Sequence, residues 1–274
     1  MKRYRLYNGV MVPSLAFGTW QLEPETAYEA TLCALKCGYR HIDTAYVYQN
    51  EKAIGDAIRD SGVQREDIFL TSKLPSDIKS YEGARSYFKA SLDALGVSYL
   101  DLYLIHAPWP WSDVGKDCMD GNVKAFEAFI DLYRNQEIRS IGVSNFNRQE
   151  LLQLEERTSF RPMVDQIRFF VGNIQKETYE YCQKNSILVE AYSPLATGKL
   201  LLDERIGKMA EKYQTEPSKI LLQYCLEKKT LPIVKSSHRE RIEKNLDLPF
   251  YLMDEDVKYL DSLVNVELRK PYRY

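Results

Sequence analysis

Three residues that can move or orient a proton stand where short apolar segments of the chain end, and a fourth lies in the loop after the first of them. Asp43 closes the segment RHID, Lys73 closes IFLTSK and His106 closes DLYLIH, while Tyr48 follows Asp43 in the next loop. A tyrosine hydroxyl, with a pKa of about 10, is a weak acid at neutral pH. A lysine ammonium ~4 Å away would favour the phenolate by about 4 kcal/mol at an effective dielectric constant of 20. These residue types therefore predict a tyrosine proton donor that is acidified by a lysine.

Two of the four residues are expected to support that donor. Asp43 can keep the lysine protonated as an ion pair, because a nearby opposite charge favours the charged form. His106 can donate a hydrogen bond to a substrate oxygen and orient it toward Tyr48. Each residue alone has an ordinary explanation, such as a turn cap or a solvated rim charge. Their occurrence at the ends of successive strands favours a catalytic group.

Strand-like and helical segments alternate along the chain. Eight strands are predicted, over residues 15–17, 40–43, 68–73, 100–106, 138–143, 163–166, 187–192 and 232–235. Helices are predicted between them, over 25–36, 51–60, 81–94, 122–134, 148–156, 176–184 and 217–227. Eight such units favour the α/β class and a closed (β/α)8 TIM barrel, in which the chemistry sits at the C-terminal ends of the strands.

Further segments complete this barrel. Residues 4–12, with Asn8 and Gly9 between apolar flanks, predict a β-hairpin that could plug the barrel floor. Two extra helices, over 204–213 and 254–263, are expected to pack outside. Glycines in KCGYR and ALGVSY predict helix ends, since glycine adopts the left-handed cap conformation most easily. With no linker or repeat in the pattern, residues 1–274 are expected to form a single domain.

Composition excludes several kinds of partner. The chain has 37 basic and 39 acidic side chains, a formal charge of −2, so no overall basic field attracts nucleic acid or an anionic membrane. No segment is long enough to span a bilayer, and Asn8, Gly9 and Pro13 interrupt the start before a signal-peptide core could form. The five cysteines are scattered without a CxxC pair, which suits reduced thiols. We expect a cytoplasmic protein without a metal site.

A phosphate site is predicted after the eighth strand, in the segment KSSHRERIEKN. Neither GxGxxG nor a P-loop motif occurs, so a nucleotide would need another anion site. Lys235 ends the strand, Ser236 or Ser237 can cap the next helix, and Arg241 and Asn245 lie on one face of it. A helix N-terminus beside two cations favours the 2′-phosphate of NADPH. A merely basic helix start is the alternative.

Six segments carry a family resemblance in order along the chain. They are GYRHIDTAYVYQNEKAIGDAI, FLTSKL, LGVSYLDLYLIHAP, IRSIGVSNF, VEAYSPL and IVKSSHRERIEKN. Together they resemble the successive signatures of the aldo-keto reductase family, over nearly the whole chain. The resemblance implies an eight-stranded barrel, usually monomeric, that reduces aldehydes or ketones with NADPH. It also implies that Tyr48 is the general acid, that Lys73 and Asp43 tune it, and that His106 positions the carbonyl.

The same resemblance implies which residues bind NADPH or NADP+. The adenosine phosphate would be contacted by Lys235, Ser236, Arg241 and Asn245. The nicotinamide carboxamide would be held by Ser144, Asn145 and Gln166. The nicotinamide ring would stack on Tyr192, and the pyrophosphate would pass Ser193 and Leu195. Two departures from the family pattern, Asp165 and Arg168, are expected to lie away from the cofactor.

Tryptophans are expected to surround the substrate. Trp20 follows the first strand, and Trp109 and Trp111 follow the fourth, so the three indoles could ring a mouth above Tyr48 suited to a partly apolar carbonyl compound. Core or surface tryptophans are the alternative. Many relatives carry tryptophan at the position of Ala107, so this small side chain should widen the pocket floor. We expect broad acceptance of small aldehydes, keto-sugars or diketones.

Two other functions are compatible with parts of the pattern. An NADPH-sensing regulatory subunit with slow turnover would share the fold, although the intact set of four catalytic residue types argues against it. A barrel hydrolase or isomerase could use Asp43 and His106, but it would leave Lys235 and Arg241 unexplained. Reduction of a small carbonyl compound by a monomeric enzyme accounts for all of these residues.

Overall fold

A barrel of parallel strands forms the centre of the computed structural model, which describes residues 2–264. The strands are β1 (Arg3–Arg5), β2 (Met11–Pro13), β3 (Ala16–Gly18), β4 (His41–Asp43), β5 (Phe69–Leu74), β6 (Leu102–Ile105), β7 (Ile141–Ser144), β8 (Val164–Arg168), β9 (Leu188–Tyr192) and β10 (Leu231–Val234). From β3 to β10 each strand pairs in parallel with the next, and β10 pairs with β3 to close the barrel. The predicted (β/α)8 fold is confirmed.

Helices surround the barrel and follow the predicted segments closely. They are α1 (Pro24–Cys37), α2 (Glu51–Asp60), α3 (Tyr81–Leu95), α4 (Met119–Arg134), α5 (Arg148–Thr158), α6 (Lys176–Lys184), α7 (Glu204–Lys212), α8 (Pro217–Glu227), α9 (Arg239–Leu246) and α10 (Asp254–Ser262). The two expected extra helices are α7 and α10. Helices α1 and α3 end at Gly38 and Gly96, which have φ angles of 111° and 65°. Only glycine adopts such angles without strain from a Cβ atom.

The barrel strands are buried on both faces. Every residue of β5 and β6 is buried, including the polar residues of β5. Such near-continuous burial is typical of parallel strands that helices cover. At Gly142 in β7 an added Cβ atom would lie 2.4 Å from the carbonyl oxygen of Val164 in β8. A larger residue there would push apart the two strands that carry Ser144 and Gln166.

The hairpin of β1 and β2 lies at the N-terminal end of the barrel. Its side chains donate hydrogen bonds to backbone carbonyls just before three strands: Tyr4 to Thr230 at 3.1 Å, Asn8 to Arg139 at 3.0 Å, and Tyr7 to Arg161. This placement agrees with the expected floor. The C-terminal ends of the strands are left for the functional site. In residues 2–264 no helix combines the length and the apolar composition needed to cross a membrane.

Candidate active site

The ammonium group of Lys73 is the centre of the site. Lys73 is the fifth residue of β5, one place before the end of the strand, and is fully buried at 0% exposure. Its Nζ atom lies 2.7 Å from Oδ1 of Asp43, 2.8 Å from the carbonyl oxygen of Thr44 and 3.5 Å from the hydroxyl oxygen of Tyr48. Three acceptors match the three N–H bonds of an ammonium group. The buried charge is therefore paired and hydrogen bonded.

Tyr48 reaches this ammonium group from a short helical turn. Strand β4 ends at Asp43, and the chain then forms one 3-10 turn over Tyr46–Tyr48. Tyr48 is therefore held by this turn and not by the strand. The ring of Tyr48 lies edge-on to that of His106, with centroids 5.6 Å apart and planes at 71°. The Tyr48 side chain therefore contacts a buried cation through its hydroxyl and an imidazole through its ring.

His106 carries no charge at neutral pH in this environment. It follows β6 directly, and burial, together with the positive charge of Lys73, holds the pKa of its imidazole well below the usual value. Both effects penalise the protonated form. A neutral imidazole still has one N–H bond to donate. His106 is thus suited to hold an oxygen atom without competing with Tyr48 as the proton source.

A cavity of about 930 Å³ opens above these residues. Asp43, Tyr48 and His106 line it, whereas Lys73 lies behind Asp43 and Tyr48, outside the lining. The cavity also contacts residues that lie in or just after β3, β7, β9 and β10, and Gln166 within β8. It therefore runs across the C-terminal end of the barrel, where the sequence pattern places the chemistry.

One end of the cavity presents a chain of hydrogen bonds between three strands. The Tyr192 hydroxyl donates to Oδ1 of Asn145 at 2.8 Å, and Nδ2 of Asn145 donates to Oγ of Ser144 at 3.0 Å and to the carbonyl oxygen of His106 at 3.0 Å. Oγ of Ser144 in turn donates to the backbone carbonyl of Gln166 at 2.8 Å. The residues predicted to bind the nicotinamide carboxamide and to stack on the nicotinamide ring all line the cavity here: Ser144, Asn145, Gln166 and Tyr192. Their polar groups are held in fixed directions before any ligand binds.

The other end of the cavity is basic. Lys235, Ser236, Arg241 and Asn245 all line it, with the two cations exposed and the other two residues buried. Neither cation forms an ion pair with a residue of the described part of the chain, whereas neighbouring Lys244 is paired with Glu216 at 2.6 Å. The expected serine cap is wrong, because His238 is the N-cap of α9 and its backbone N–H donates to Ser236 Oγ at 3.1 Å. The two unpaired cations suit a phosphate group.

The remaining predicted residues divide between the cavity and its surroundings. Ser193, Leu195, Trp20 and Trp111 line the cavity. Trp109 does not, and instead packs against Trp111 with ring centroids 4.9 Å apart. Ala107 is fully buried and also lies outside the lining, so it forms no wall of the cavity itself. Asp165 and Arg168 lie outside the lining, as expected.

Asn50 supports the site in a way the sequence did not reveal. Its Nδ2 atom donates to the carbonyl oxygens of Thr19 and Leu22, both at 3.0 Å, and its Oδ1 atom accepts from Thr44 at 3.2 Å. These bonds tie the loop that carries Trp20 to the loop that carries Tyr48. Asn50 lies in the segment GYRHIDTAYVYQNEKAIGDAI, directly before α2. Asparagine is common at helix N-caps, so the sequence did not indicate that Asn50 contacts a distant loop.

A second unforeseen support holds the loop after His106. Nζ of Lys79 donates to the carbonyl oxygen of Ala107 at 2.8 Å and to Oδ1 of Asn122 at 2.6 Å. Nδ2 of Asn122 donates to the carbonyl oxygen of Pro108 at 2.8 Å. The two side chains therefore clamp the backbone that leads to Trp109 and Trp111. A lysine just before α3 and an asparagine in the first turns of α4 gave no sequence signal for this role.

Comparison with known proteins places the chain in a family. The sequence model of the Aldo/keto reductase family matches residues 14–265. The chain belongs to this family. It is therefore an oxidoreductase of the carbonyl-reducing type, and the predicted resemblance is confirmed.

Individual relatives agree with this assignment over nearly their full lengths. A glyoxal reductase of Bacillus subtilis is 39% identical over 261 residues, covering 94% of this chain and 91% of the relative. A 9,11-endoperoxide prostaglandin H2 reductase of Trypanosoma cruzi is 36% identical, covering 94% and 90%. The crystal structure of a Bombyx mori aldo-keto reductase in complex with NADP has a TM-score of 0.86 and 32% identity, covering 94% of this chain and 91% of that one.

Proposed function

We propose that the protein reduces small aldehydes or ketones to alcohols with NADPH, and that Tyr48 is the general acid. The observation that carries this proposal is the contact between the buried Lys73 ammonium group and the Tyr48 hydroxyl, at the wall of a cavity that His106 also lines. The family assignment supports carbonyl reduction in general.

Proton transfer follows from the direction of the hydrogen bonds. Because Lys73 donates toward the Tyr48 oxygen, the phenol is the acceptor in that contact, and its own O–H is the proton that we assign to the substrate oxygen. His106 holds the substrate carbonyl oxygen close to this O–H. As the carbonyl oxygen gains negative charge, Tyr48 gives up its proton, and the ammonium group stabilises the phenolate that remains. NADPH, when bound, supplies the hydride for the carbonyl carbon.

The residues present fit NADPH at both ends. Lys235 and Arg241, which form no ion pair within the described part of the chain, offer two cations for a phosphate ester. Ser144, Asn145 and Gln166 offer hydroxyl and amide groups for a carboxamide. A cavity of about 930 Å³ joins these two groups. The solved relative that contains NADP supports a nicotinamide cofactor. The two cations are the reason to propose NADPH over NADH.

The substrate class follows from the walls beside Tyr48. Trp20, Trp111 and Val47 line this part of the cavity, so apolar surface faces the carbonyl compound. The Bacillus subtilis relative is named a glyoxal reductase, which supports a small dicarbonyl compound. We therefore propose small aldehydes, diketones and keto-sugars as substrates, with Trp109 acting on the pocket through its contact with Trp111.

We also propose that the chain acts as a single-domain monomer in the cytoplasm. Its five cysteines are all free thiols, which suits a reducing compartment. Sedimentation of the purified protein at several concentrations tests the monomer.

The proposed reaction is tested by mixing the protein with NADPH and methylglyoxal and following the loss of reduced-nicotinamide absorbance. We expect turnover in the native protein and a loss of about 100- to 10,000-fold in kcat in Tyr48→Phe, the range typical of a general acid. Quenching of tryptophan fluorescence by NADPH should be the same in both. Quenching without turnover in the native protein would support an NADPH sensor, and the absence of both signals would exclude the proposed function.

A further inference from the structure

A second carboxyl group lies beneath the catalytic residues. Glu190 is the third residue of β9, is fully buried, and does not line the cavity. Its Oε2 atom accepts a hydrogen bond of 2.9 Å from Nε2 of Gln166. The same Nε2 atom donates to Oδ2 of Asp43 at 2.8 Å. One side-chain amide therefore bridges two carboxyl groups.

These contacts fix the orientation of the Gln166 amide. Asp43 is ion paired with Lys73 through its other oxygen, so it has no proton to offer an amide carbonyl. An amide rotated by a half turn would direct its oxygen at the Asp43 carboxylate. With both N–H bonds of Gln166 committed to Asp43 and Glu190, only Oε1 of the amide is left for the cavity. A carboxamide NH2 group needs an acceptor of this kind.

Among the described residues, Lys73 is the cation that acts on Glu190. Asp43 and His41 of β4 face Glu190, and Nε2 of His41 lies 4.0 Å from its Oε1 atom. Gln166 of β8 and the apolar Leu231 of β10 also face it. Lys73 on β5 is already bound by Asp43. Burial, reinforced by the Asp43 carboxylate, raises the pKa of Glu190 to about 8. Burial and the charge of Lys73 lower the pKa of His41 to about 3, so His41 offers no positive charge.

We propose that Glu190 is a positioning residue that stays protonated and holds Gln166 so that the Gln166 carbonyl oxygen faces the nicotinamide carboxamide. This rests on the proposed function, because it assigns a partner to the cofactor-binding end. A neutral Glu190 also leaves the charge of Lys73 balanced by Asp43 alone. An ionised Glu190 would place a second negative charge in the same group and weaken the effect of Lys73 on Tyr48.

Protonation is tested first on the protein without cofactor. The infrared carbonyl band of protonated carboxylic acids is compared in the native protein, in Glu190→Gln and in Asp165→Asn. Asp165 is the matched control, a fully buried carboxyl on β8 with a raised pKa, and among the residues described its side chain forms no hydrogen bond with the Gln166 amide. We expect Glu190→Gln to remove a band that the native protein and Asp165→Asn retain at pH 7. We expect that band to disappear near pH 8. A spectrum unchanged by Glu190→Gln at pH 7 would overturn the proposal.

Positioning is tested by NADPH binding, measured as quenching of tryptophan fluorescence at pH 7. Glu190→Gln keeps an acceptor for Gln166 and should bind within about twofold of the native protein, whereas Glu190→Leu loses the acceptor and should bind about fivefold more weakly, the effect of one hydrogen bond. In a Gln166→Ala background, Glu190→Leu should cause no further loss, since the two residues act as one unit.

Four outcomes decide the matter. Equal binding by Glu190→Leu and the native protein, or an undiminished effect of Glu190→Leu in the Gln166→Ala background, would show that Glu190 does not act through Gln166. A loss of affinity in Glu190→Gln equal to that in Glu190→Leu would also overturn the proposal. If the native protein does not bind NADPH at all, the proposed function fails instead, and the infrared band alone decides the protonation of Glu190.

Discussion

The Nζ atom of Lys73 lies 3.5 Å from the hydroxyl oxygen of Tyr48, although the two residues are 25 positions apart in the chain. The contact depends on the barrel, because Lys73 belongs to β5 and Tyr48 belongs to the turn after the neighbouring strand β4. Asp43, at the end of β4, binds the same ammonium group at 2.7 Å. Neighbouring parallel strands thus place acid, cation and counter-ion in one buried cluster.

Removing Lys73 should expose how much the fold depends on this ion pair. Lys73→Met leaves Asp43 buried without its cation, and breaking one half of a buried pair costs about 3–5 kcal/mol of unfolding free energy. Urea denaturation measures the loss. Adding Asp43→Asn should restore part of it, because the uncompensated charge is then gone. Lys52→Met, which removes an exposed lysine paired with Asp56, is the control and should change stability by less than about 1 kcal/mol. A double variant no more stable than Lys73→Met would contradict this account.

Arg241 should govern the choice between NADPH and NADH. It lines the basic end of the cavity and has no ion-pair partner among residues 2–264. Arg241→Ala removes a charge-assisted contact worth about 1.5–3 kcal/mol, which corresponds to a loss of roughly 10- to 150-fold in NADPH affinity. NADH affinity should change little, because NADH lacks the 2′-phosphate.

Arg239→Ala is the matched control for this measurement. Arg239 lies on the same helix, is 80% exposed at its side chain and is paired with Glu243, away from the large cavity. Its removal should leave both affinities unchanged. If Arg241→Ala weakened NADH and NADPH binding equally, Arg241 would not contact the 2′-phosphate.

Acid should destabilise the protein through its buried histidines. Burial lowers the pKa of His41 from 6.5 to about 3, so the folded chain keeps this imidazole neutral while the unfolded chain protonates it below pH 6.5. The unfolding free energy should therefore fall as the pH drops from about 6.5 toward 3, and His106 acts in the same direction.

Melting temperatures at pH 7, 6, 5 and 4 in the native protein and in His41→Gln check this effect. The native protein should lose more stability than His41→Gln as the pH falls, because the variant has no imidazole to protonate. Carboxyl groups titrate alike in both proteins and cancel. His238→Gln, which replaces an exposed histidine, should follow the native protein. Parallel pH profiles for the native protein and His41→Gln would refute the assignment.

Asp165 should cost the protein stability at neutral pH. It is fully buried, and burial raises the pKa of its carboxyl well above the usual value, with only partial compensation from the backbone N–H of Phe146. The unfolded chain ionises this group above about pH 4, whereas the folded chain resists ionisation. Stability is therefore lost as the pH rises from about 4.

Asp165→Asn should remove that loss. We expect little difference from the native protein near pH 4 and a higher melting temperature at pH 8, by about 2–4 °C for each kcal/mol gained. Asp120→Asn, which changes an exposed carboxylate at 89% exposure, should show no such trend. A melting temperature difference that does not grow with pH would mean that Asp165 finds compensation elsewhere.

Much of the fold was predictable because local patterns repeat regularly in a (β/α)8 barrel. Apolar runs identified all eight barrel strands to within a few residues, since strands buried on both faces are apolar almost throughout. Glycines such as Gly38 and Gly96 marked helix ends, because the left-handed backbone conformation at a helix C-terminus is easiest for glycine. The boundary at Lys73 differed by one residue because β5 continues to Leu74, which pairs with Ile105 of β6.

The site was predictable where a reactive residue type coincided with a strand end. Asp43 and His106 stand there, and both line the cavity. The burial of Ala107 was not predictable, because it depends on the path of the loop after β6. Lys79 and Asn122 hold that loop through hydrogen bonds to the carbonyl oxygens of Ala107 and Pro108.

The sequence by itself determined the order of the strands and the residue types presented at their C-terminal ends, because strand and helix formation respond to neighbouring residues. Only the tertiary structure decided which side chains share protons and charges. Gln166 and Asp43 are 123 positions apart, and Glu190 joins them from a third strand. Closing the barrel brings these groups within hydrogen-bond distance, and burial then sets their charges, a physical effect that no local pattern in the chain expresses.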